Sequence, residues 1–208
     1  MPDNPKSKIQ NPKLILASAS PRRAEILRSL GIPFEADPSD VDETPLSGEA
    51  PDETACRLAS AKAAVVAARR PGAWVLAADT LVVLDEAVLG KPADDAEAAR
   101  MLLQLSGREH RVVTGVCLCA DMDPGTTLTE WSRVRFAPLT QAEVAWYVAT
   151  GEPRDKAGAY AVQGLGARFV EGIEGSFTNV MGLPARVVYR LLRETRNPSA
   201  DLLALSCS

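Results

Sequence analysis

LILASASPRRAEILRSL, residues 14–30, contains the change from strand to helix around which the chain is organised. The apolar run at residues 14–17 has the length of a short strand, and the apolar side chains of Ile26, Leu27 and Leu30 recur at helical spacing. The stretch therefore predicts a buried strand that leads, through a short polar turn, into an amphipathic helix.

The predicted start of this helix favours an anion site. Ser20 is a good N-cap residue, and Pro21 suits the first helical position because its missing N–H is not needed there. Arg22 and Arg23 follow in the first turn, where cations oppose the helix dipole, so helix stability does not explain them. Together with the hydroxyl groups of Ser18 and Ser20, they would surround an anion, most simply a phosphate. A basic surface helix start with solvated arginines is the alternative, and spacing alone does not decide between them.

The composition is that of an ordinary globular protein. The 208 residues are 46% hydrophobic and 24% charged, with a formal net charge of −4. The chain can therefore bury a full core, and its charge gives no support for a general nucleic-acid binder. No apolar run approaches membrane-spanning length, and four scattered cysteines do not indicate a disulfide scaffold or a zinc site. We expect a flexible lead at residues 1–12, a single domain at residues 13–195, a loose tail at residues 196–208, and a cytoplasmic location with no nucleic-acid or membrane partner.

Strand and helix signals alternate along the chain, which predicts the α/β class. The predicted strands are residues 74–78, a hairpin at 81–84 and 87–90, 111–120, 130–136, and two short strands at 159–163 and 168–173, besides a short one within 32–42. The predicted helices begin at Asp52 or Glu53, at Asp94, at a capping box on Thr140, and at Pro184.

Asp79 follows the apolar strand at residues 74–78, and an acid at a strand tip is where open α/β folds expose functional groups. A cap of a helix or turn is the alternative, but no helix follows. A two-residue hairpin turn would pair Leu84 with Ala87 and Thr80 with Lys91, whereas a longer loop would shift this register, since Asp-Glu is a poor type I′ turn. That register would bring Lys91 to within roughly 5 Å of Asp79 and Thr80.

Five blocks of the sequence resemble the Maf family of nucleoside triphosphate pyrophosphatases, in the family's order. S-x-S-P-R-R directly after the first strand resembles the family's opening. The others are RLA with KA within residues 57–63, ADT leading to LGKP within 78–92, HRVVTGV at 110–116, and the glycine-rich segment 151–184 with DKAGAYAVQG and NVMGLP. Together they cover residues 14 to about 192, and five blocks in order are a strong sign of membership.

The resemblance implies a mixed, strongly twisted sheet flanked by helices, with two lobes around a central cleft, and a homodimer. It implies hydrolysis of a nucleoside triphosphate to the monophosphate and pyrophosphate, with Asp79 as proton acceptor. It places specificity at Arg22, Thr80 and Gln163. It also places Lys62 at the triphosphate and Glu43 near the metal.

For three of these residues, the sequence also allows a purely structural role. Glu43 can be a solvated turn residue, although Mg²⁺ takes only one or two carboxylates beside water and substrate oxygens. Lys62 can be a surface lysine whose stem covers an alanine-rich helix. Gln163 can satisfy backbone groups, or its amide can read the edge of a base through a paired donor and acceptor.

The chemistry of this reaction matches the residue types. Arg22, Arg23, Lys62 and Lys91 can offset about four negative charges, the charge of a free triphosphate near neutral pH. An ordinary aspartate, with a pKa of about 3.9, is too weak a base for bulk water. A divalent ion lowers the pKa of water, so the mechanism implies Mg²⁺ or Mn²⁺.

The amide at Gln163 favours dTTP, UTP and modified pyrimidine nucleotides as substrates. The family branch that acts on 7-methyl-GTP has an acidic residue at this position, and an amide suits a neutral pyrimidine edge better than a positively charged guanine. The rival function is a nucleotide-sensing inhibitor of cell division that binds without hydrolysis. Such a binder needs the basic cluster but not Asp79.

Overall fold

The computed structural model describes residues 13–120 and 125–195. The predicted lead at residues 1–12, the predicted tail at 196–208 with Cys207, and residues 121–124 of one loop lie outside the described residues. In the described part, the strands are β1 (Leu14–Leu16), β2 (Glu35–Ala36), β3 (Trp74–Leu84), β4 (Ala87–Leu89), β5 (Glu109–Ala120), β6 (Thr126–Phe136) and β7 (Val170–Glu174). The α-helices are α1 (Pro21–Ser29), α2 (Pro51–Arg69), α3 (Asp95–Leu105), α4 (Gln141–Ala149), α5 (Phe177–Met181) and α6 (Ala185–Glu194).

The strands form one mixed sheet in the order β2-β1-β3-β5-β6-β7. β1 runs parallel to β2 and β3, whereas β3, β5, β6 and β7 run antiparallel to their neighbours. β4 turns back from the end of β3 and pairs with it antiparallel. The predicted α/β class with a mixed sheet flanked by helices is confirmed.

The first lobe is the part of the sheet around β1 and the start of β3, covered on both faces. On one face, α1 and α6 bury Leu27, Val188 and Leu191 against the strands. On the other face, the alanines of α2 pack closely on β3 and β5. Alternating residues of β3 therefore face two different helical layers, as the two-residue period of a strand requires.

The second lobe surrounds the far ends of β3, β5 and β6. Its core joins α3 and α4 to the sheet, and the aromatic rings of Phe136, Tyr160 and Phe169 pack there edge to face or tilted. Short 3₁₀ turns at Glu152–Asp155, Ala157–Ala159 and Leu165–Phe169 close this lobe over the sheet. No helix among the described residues is both long and apolar enough to cross a membrane.

Several local predictions are wrong. Leu30 is the C-cap of α1 and is 39% exposed, so it does not join Ile26 and Leu27 in the core. Residues 159–163 are not a strand, because Gly158 and Ala159 have left-handed φ angles that turn the chain instead. The strand predicted at 168–173 begins two residues later, as β7, after a 3₁₀ turn.

The predicted strand at residues 74–78 and the first arm of the predicted hairpin are one continuous strand, β3. The two-residue turn and the pairing of Leu84 with Ala87 are confirmed. The ladder ends at Val82 and Leu89, however, so Thr80 and Lys91 are not paired. Asp79 thus lies in the middle of a strand rather than at its tip.

Candidate active site

A cavity of about 590 Å³ lies between the two lobes. It opens where β3 lacks a neighbour on one edge: β1 pairs with this edge only as far as Leu76, and β4 begins to pair with it at Val82. Between those points, no described strand covers that edge. The gap exposes the middle of β3 to the cleft, as a topological switch point does in other α/β sheets.

All ten residues predicted to form the site line this one cavity: Ser18, Ser20, Arg22, Arg23, Glu43, Lys62, Asp79, Thr80, Lys91 and Gln163. They come from the β1–α1 turn, the first turn of α1, the loop before α2, α2 itself, β3, the chain after β4, and the segment after Tyr160. The structure therefore brings together side chains that are remote along the sequence, while their roles stay proposals.

Asp79 and Thr80 point to opposite faces of β3, and both faces border the cleft. Asp79 is 6% exposed and accepts a hydrogen bond from Lys62 Nζ on α2 at 2.6 Å. Thr80 faces α1, where its hydroxyl lies 3.3 Å from Arg23 Nη2 and 2.9 Å from the hydroxyl of Thr114 on β5. The cleft thus receives an acid from one face of the strand and a hydroxyl from the other.

Lys62 joins two carboxylates. Its Nζ lies 2.6 Å from Asp79 Oδ1 and 2.6 Å from Glu43 Oε1, and the other oxygen of Glu43 accepts from Lys91 Nζ at 3.2 Å. Burial alone would raise the pKa of Glu43, but the hydrogen bonds and charges of the two lysines outweigh it and hold the pKa below its ordinary value. Lys62 is buried, so it is not the surface lysine of the alternative interpretation.

Arg23 is fixed by three bonds around its guanidinium group. Nε donates to the carbonyl of Gly182 at 2.9 Å, Nη1 to Ser18 Oγ at 3.2 Å, and Nη2 to Thr80. Burial lowers the pKa of Arg23, although the negative charge of Asp79 opposes the shift. The side chain is therefore held in one orientation as part of the cavity lining.

Arg22 differs from its neighbour because its Nε is buried and finds no hydrogen-bond acceptor among the described residues. Burial lowers its pKa, while the negative charges of Asp155 and Glu152 oppose that shift. A buried donor without a partner indicates a place for a ligand oxygen or a water molecule.

Ser20 occupies the N-cap position of α1, and Pro21 is its first residue, as predicted. The Ser20 side chain, however, makes no capping hydrogen bond. Instead, its backbone N–H donates to Ser18 Oγ at 3.1 Å, which folds the turn over the helix start. The Ser20 hydroxyl remains at the cavity surface.

Gln163 is exposed and lies in a turn rather than at the end of a strand. Its amide makes no side-chain hydrogen bond within residues 13–120 and 125–195. It therefore does not satisfy backbone groups, as the structural interpretation of Gln163 required. The amide is free to meet a ligand in the cavity.

Sequence reasoning missed Lys156, whose side chain is largely buried at the cavity and contacts the carboxylate of Asp155. The only available signal was its position in the block DKAGAYAVQG, where nothing in its spacing marks it as a cavity residue. With it, the lining contains five cations and three carboxylates, a net charge of about +2.

The donors fit a divalent ion that is shared with a ligand. Within the described ranges, no cluster of three His, Cys, Asp or Glu side chains could hold a metal alone. Glu43 and Asp79 are close enough to bond the same ammonium group, and Mg²⁺ needs only one or two carboxylates when phosphate oxygens and waters complete its shell.

The fold and the cavity define a class: a two-lobed α/β protein with a cationic cleft suited to a phosphate-rich ligand. Residues 13–195 match the family model for Maf-like proteins. The chain therefore belongs to the Maf family, and the resemblance drawn from the sequence is confirmed.

Relatives from several bacteria carry the same name, dTTP/UTP pyrophosphatase. The chain is 52% identical to the protein of Koribacter versatilis over 86% of this chain and 93% of that one. It is 52% identical to that of Myxococcus xanthus over 89% and 93%. Among solved structures, a nucleoside-triphosphatase named dITP/XTP pyrophosphatase from Mycobacterium abscessus is similar with a TM-score of 0.43 and 19% identity, covering 88% of this chain and 95% of that chain. That weak likeness carries no information about activity.

Proposed function

We propose that this protein hydrolyses dTTP, UTP and modified pyrimidine nucleoside triphosphates to the monophosphate and pyrophosphate. The main support for the proposal is that the cavity brings Asp79 together with five cationic side chains that are remote from it along the sequence. The names of relatives at about half identity, dTTP/UTP pyrophosphatase, support the same activity.

The charge of the cavity matches the ligand when a divalent ion is included. A triphosphate brings about four negative charges near neutral pH, against a net charge of about +2 in the lining. One Mg²⁺ or Mn²⁺ brings the total to about zero. Arg22, Arg23, Lys62, Lys91 and Lys156 would bind phosphate oxygens, and the hydroxyls of Ser18 and Ser20 would add donors at the helix start.

Asp79 would accept the proton of the attacking water. The metal, held by Glu43 with help from Asp79, would lower the pKa of that water. Lys62, bonded to both carboxylates at 2.6 Å, fixes their separation and orientation. Because Asp79 is buried and aimed into the cleft from the middle of a strand, it needs no large movement to meet a water molecule beside the phosphates.

Base selection would fall to Gln163, Arg22 and Thr80, which all line the cavity. The amide of Gln163 can donate one hydrogen bond and accept another, which matches the neutral edge of uracil or thymine. The Thr80 hydroxyl is already bonded to Arg23 and Thr114, so its part would be to hold the lining in shape.

A panel of triphosphates tests the proposal. Purified protein with Mg²⁺ is assayed for pyrophosphate release from dTTP, UTP, CTP, dGTP and 7-methyl-GTP, with the monophosphate identified as the second product. We expect the fastest release from dTTP and UTP. Release from 7-methyl-GTP but from no pyrimidine triphosphate would contradict the proposal, and so would the release of single phosphate groups.

The homodimer and the cytoplasmic location are part of the same proposal. Light scattering on the purified protein would test the first: we expect the mass of two chains, and a monomeric mass would contradict it.

A further inference from the structure

The carboxylate of Glu152 lies against the turn that carries Gln163. One oxygen accepts from the phenol of Tyr147 at 2.7 Å and from the N–H of Gly166 at 3.0 Å. The other accepts from the N–H of Leu165 at 3.0 Å. Tyr147 Oη in turn accepts from the N–H of Ala161 at 3.1 Å. The chain is therefore held on both sides of Gln163.

Two glycines let these side chains approach the backbone so closely. A Cβ atom at Gly164 would lie 2.4 Å from an oxygen of Glu152, and one at Gly166 would lie 2.6 Å from Tyr147 Oη. Real Cβ atoms do not reach such distances, so the carboxylate and the phenol fill the space where side chains would otherwise be. The turn and the two polar groups fit as one unit.

Only the ionised carboxylate of Glu152 offers both oxygens as acceptors with no donor of its own. Burial alone would raise its pKa, but the hydrogen bonds from Tyr147, Leu165 and Gly166 outweigh burial and lower the pKa below its ordinary value. A carboxylate has no donor of its own, so it can receive both backbone N–H groups at once. An amide of the same shape cannot, because its NH₂ group would meet an N–H.

Glu152 and Tyr147, with their hydrogen bonds to the N–H groups of Ala161, Leu165 and Gly166, form a clamp around the turn. The position of Gln163 depends on this clamp. Its amide makes no bond of its own within the described residues and its side chain is exposed, so the backbone of the turn fixes the position from which the side chain extends. We propose that Glu152, supported by Tyr147, is a positioning residue for base selection, which acts on the nucleotide through Gln163. This proposal rests on the proposed function.

The test compares UTP with CTP, two nucleotides that share sugar and phosphates but differ at the base edge that an amide can recognise. We expect Glu152→Gln to lower the preference for UTP, measured as the ratio of kcat/KM values, by about fivefold or more, the worth of one hydrogen bond. Tyr147→Phe should lower it in the same direction. Glu171→Gln is the matched control, because within the described residues the Glu171 side chain forms just one exposed ion pair, with Arg135, and it should keep the wild-type ratio.

A double-mutant cycle separates positioning from a general loss of structure. If Glu152 acts through Gln163, Gln163→Ala alone lowers the preference, and adding Glu152→Gln lowers it no further. Thermal unfolding of each variant checks that it is folded, and Tyr147→Phe replaces Glu152→Gln if the latter is not.

Three outcomes would overturn the proposed positioning role of Glu152 without contradicting the proposed function. They are an unchanged preference for UTP in the folded Glu152 and Tyr147 variants, an unchanged preference in Gln163→Ala, or additive losses in the double mutant. An equal fall in activity on UTP and CTP would also overturn it, since a merely structural role predicts that result. Wild-type protein that releases pyrophosphate from no triphosphate would instead contradict the proposed function itself.

Discussion

His110 shows how burial decides the state of a single residue. It is 2% exposed, its Nε2 lies 2.8 Å from the hydroxyl of Tyr160, and its ring packs edge to face on Phe136. Its Nδ1 is buried without a hydrogen-bond partner in the described chain. Burial disfavours the protonated ring, and it lowers the pKa of His110 to about 4.

The shift makes a pH-dependent contribution to stability with a definite sign. Above pH 6.5 His110 is neutral in both the folded and the unfolded chain. As the pH falls from 6.5 to about 4, only the unfolded chain takes up the proton, so the folded state loses on the order of 3 kcal/mol. His110 is the only histidine, so its NMR titration is unambiguous. We expect a midpoint near pH 4 and a flatter stability profile in His110→Phe; a midpoint near 6.5 would contradict the account.

Among single residues, the sequence predicted best those that lie in the blocks that resemble the Maf family. The resemblance placed Asp79, Lys62 and Gln163, and the structure brings all three to one cavity. It did not single out Lys156 or the clamp around Gln163, because those depend on how the segment after α4 folds back on itself. No spacing rule gives such non-local hydrogen bonds.

Among the elements, β3 shapes the site because β1 and β4 leave part of one of its edges unpaired. Its central residues have no strand neighbour within the described part of the chain on the edge shared by β1 and β4. The pattern of apolar residues predicted a strand end at residue 78, because Asp79 and Thr80 interrupt the run. The pairing of these two residues with Gly115 and Thr114 of β5 keeps the strand going, and that pairing could not be seen from local sequence.

Gly115 controls how closely α2 lies on the sheet. A Cβ atom there would sit 2.4 Å from the backbone oxygen of Ala55 in α2. We expect Gly115→Ala to destabilise the fold by about 1–3 kcal/mol and, because it displaces the helix that carries Lys62, to lower turnover as well. Thermal unfolding and pyrophosphate release measure the two effects.

Gly172→Ala is the matched control, since the nearest atoms to its added Cβ belong to the flexible end of Arg135 at 3.4 Å. It should unfold close to the wild-type temperature. Equal stability of the two variants would show that α2 does not depend on the close approach at Gly115.

For the whole molecule, the two lobes and the charge of the cleft between them are the relevant features. The first lobe supplies the arginines of the helix start, and the second supplies Lys156 and Gln163. The two-lobed class could be predicted from the family resemblance, whereas the net charge of the cleft could not, because it depends on which residues finally face it.

Removal of divalent ions should stop turnover. Without the ion, about two negative charges stay uncompensated when the triphosphate is bound in the cleft. The attacking water is then not activated. We expect chelation by EDTA to lower pyrophosphate release by at least about 100-fold, and excess Mg²⁺ or Mn²⁺ to restore it. Turnover that persists in EDTA would contradict the proposed role of the metal.

The Asp79→Asn variant tests the central claim most directly, because that claim joins a buried acid to a separate set of phosphate-binding cations. Turnover of dTTP and binding of dTTP are measured on the same folded protein, beside wild type. We expect turnover to fall by about 10²–10⁴-fold, the typical rate contribution of a general base, while the nucleotide still binds. A variant that hydrolyses dTTP within about tenfold of wild type would contradict it, and a wild-type protein that binds dTTP without hydrolysing it would favour the nucleotide sensor instead.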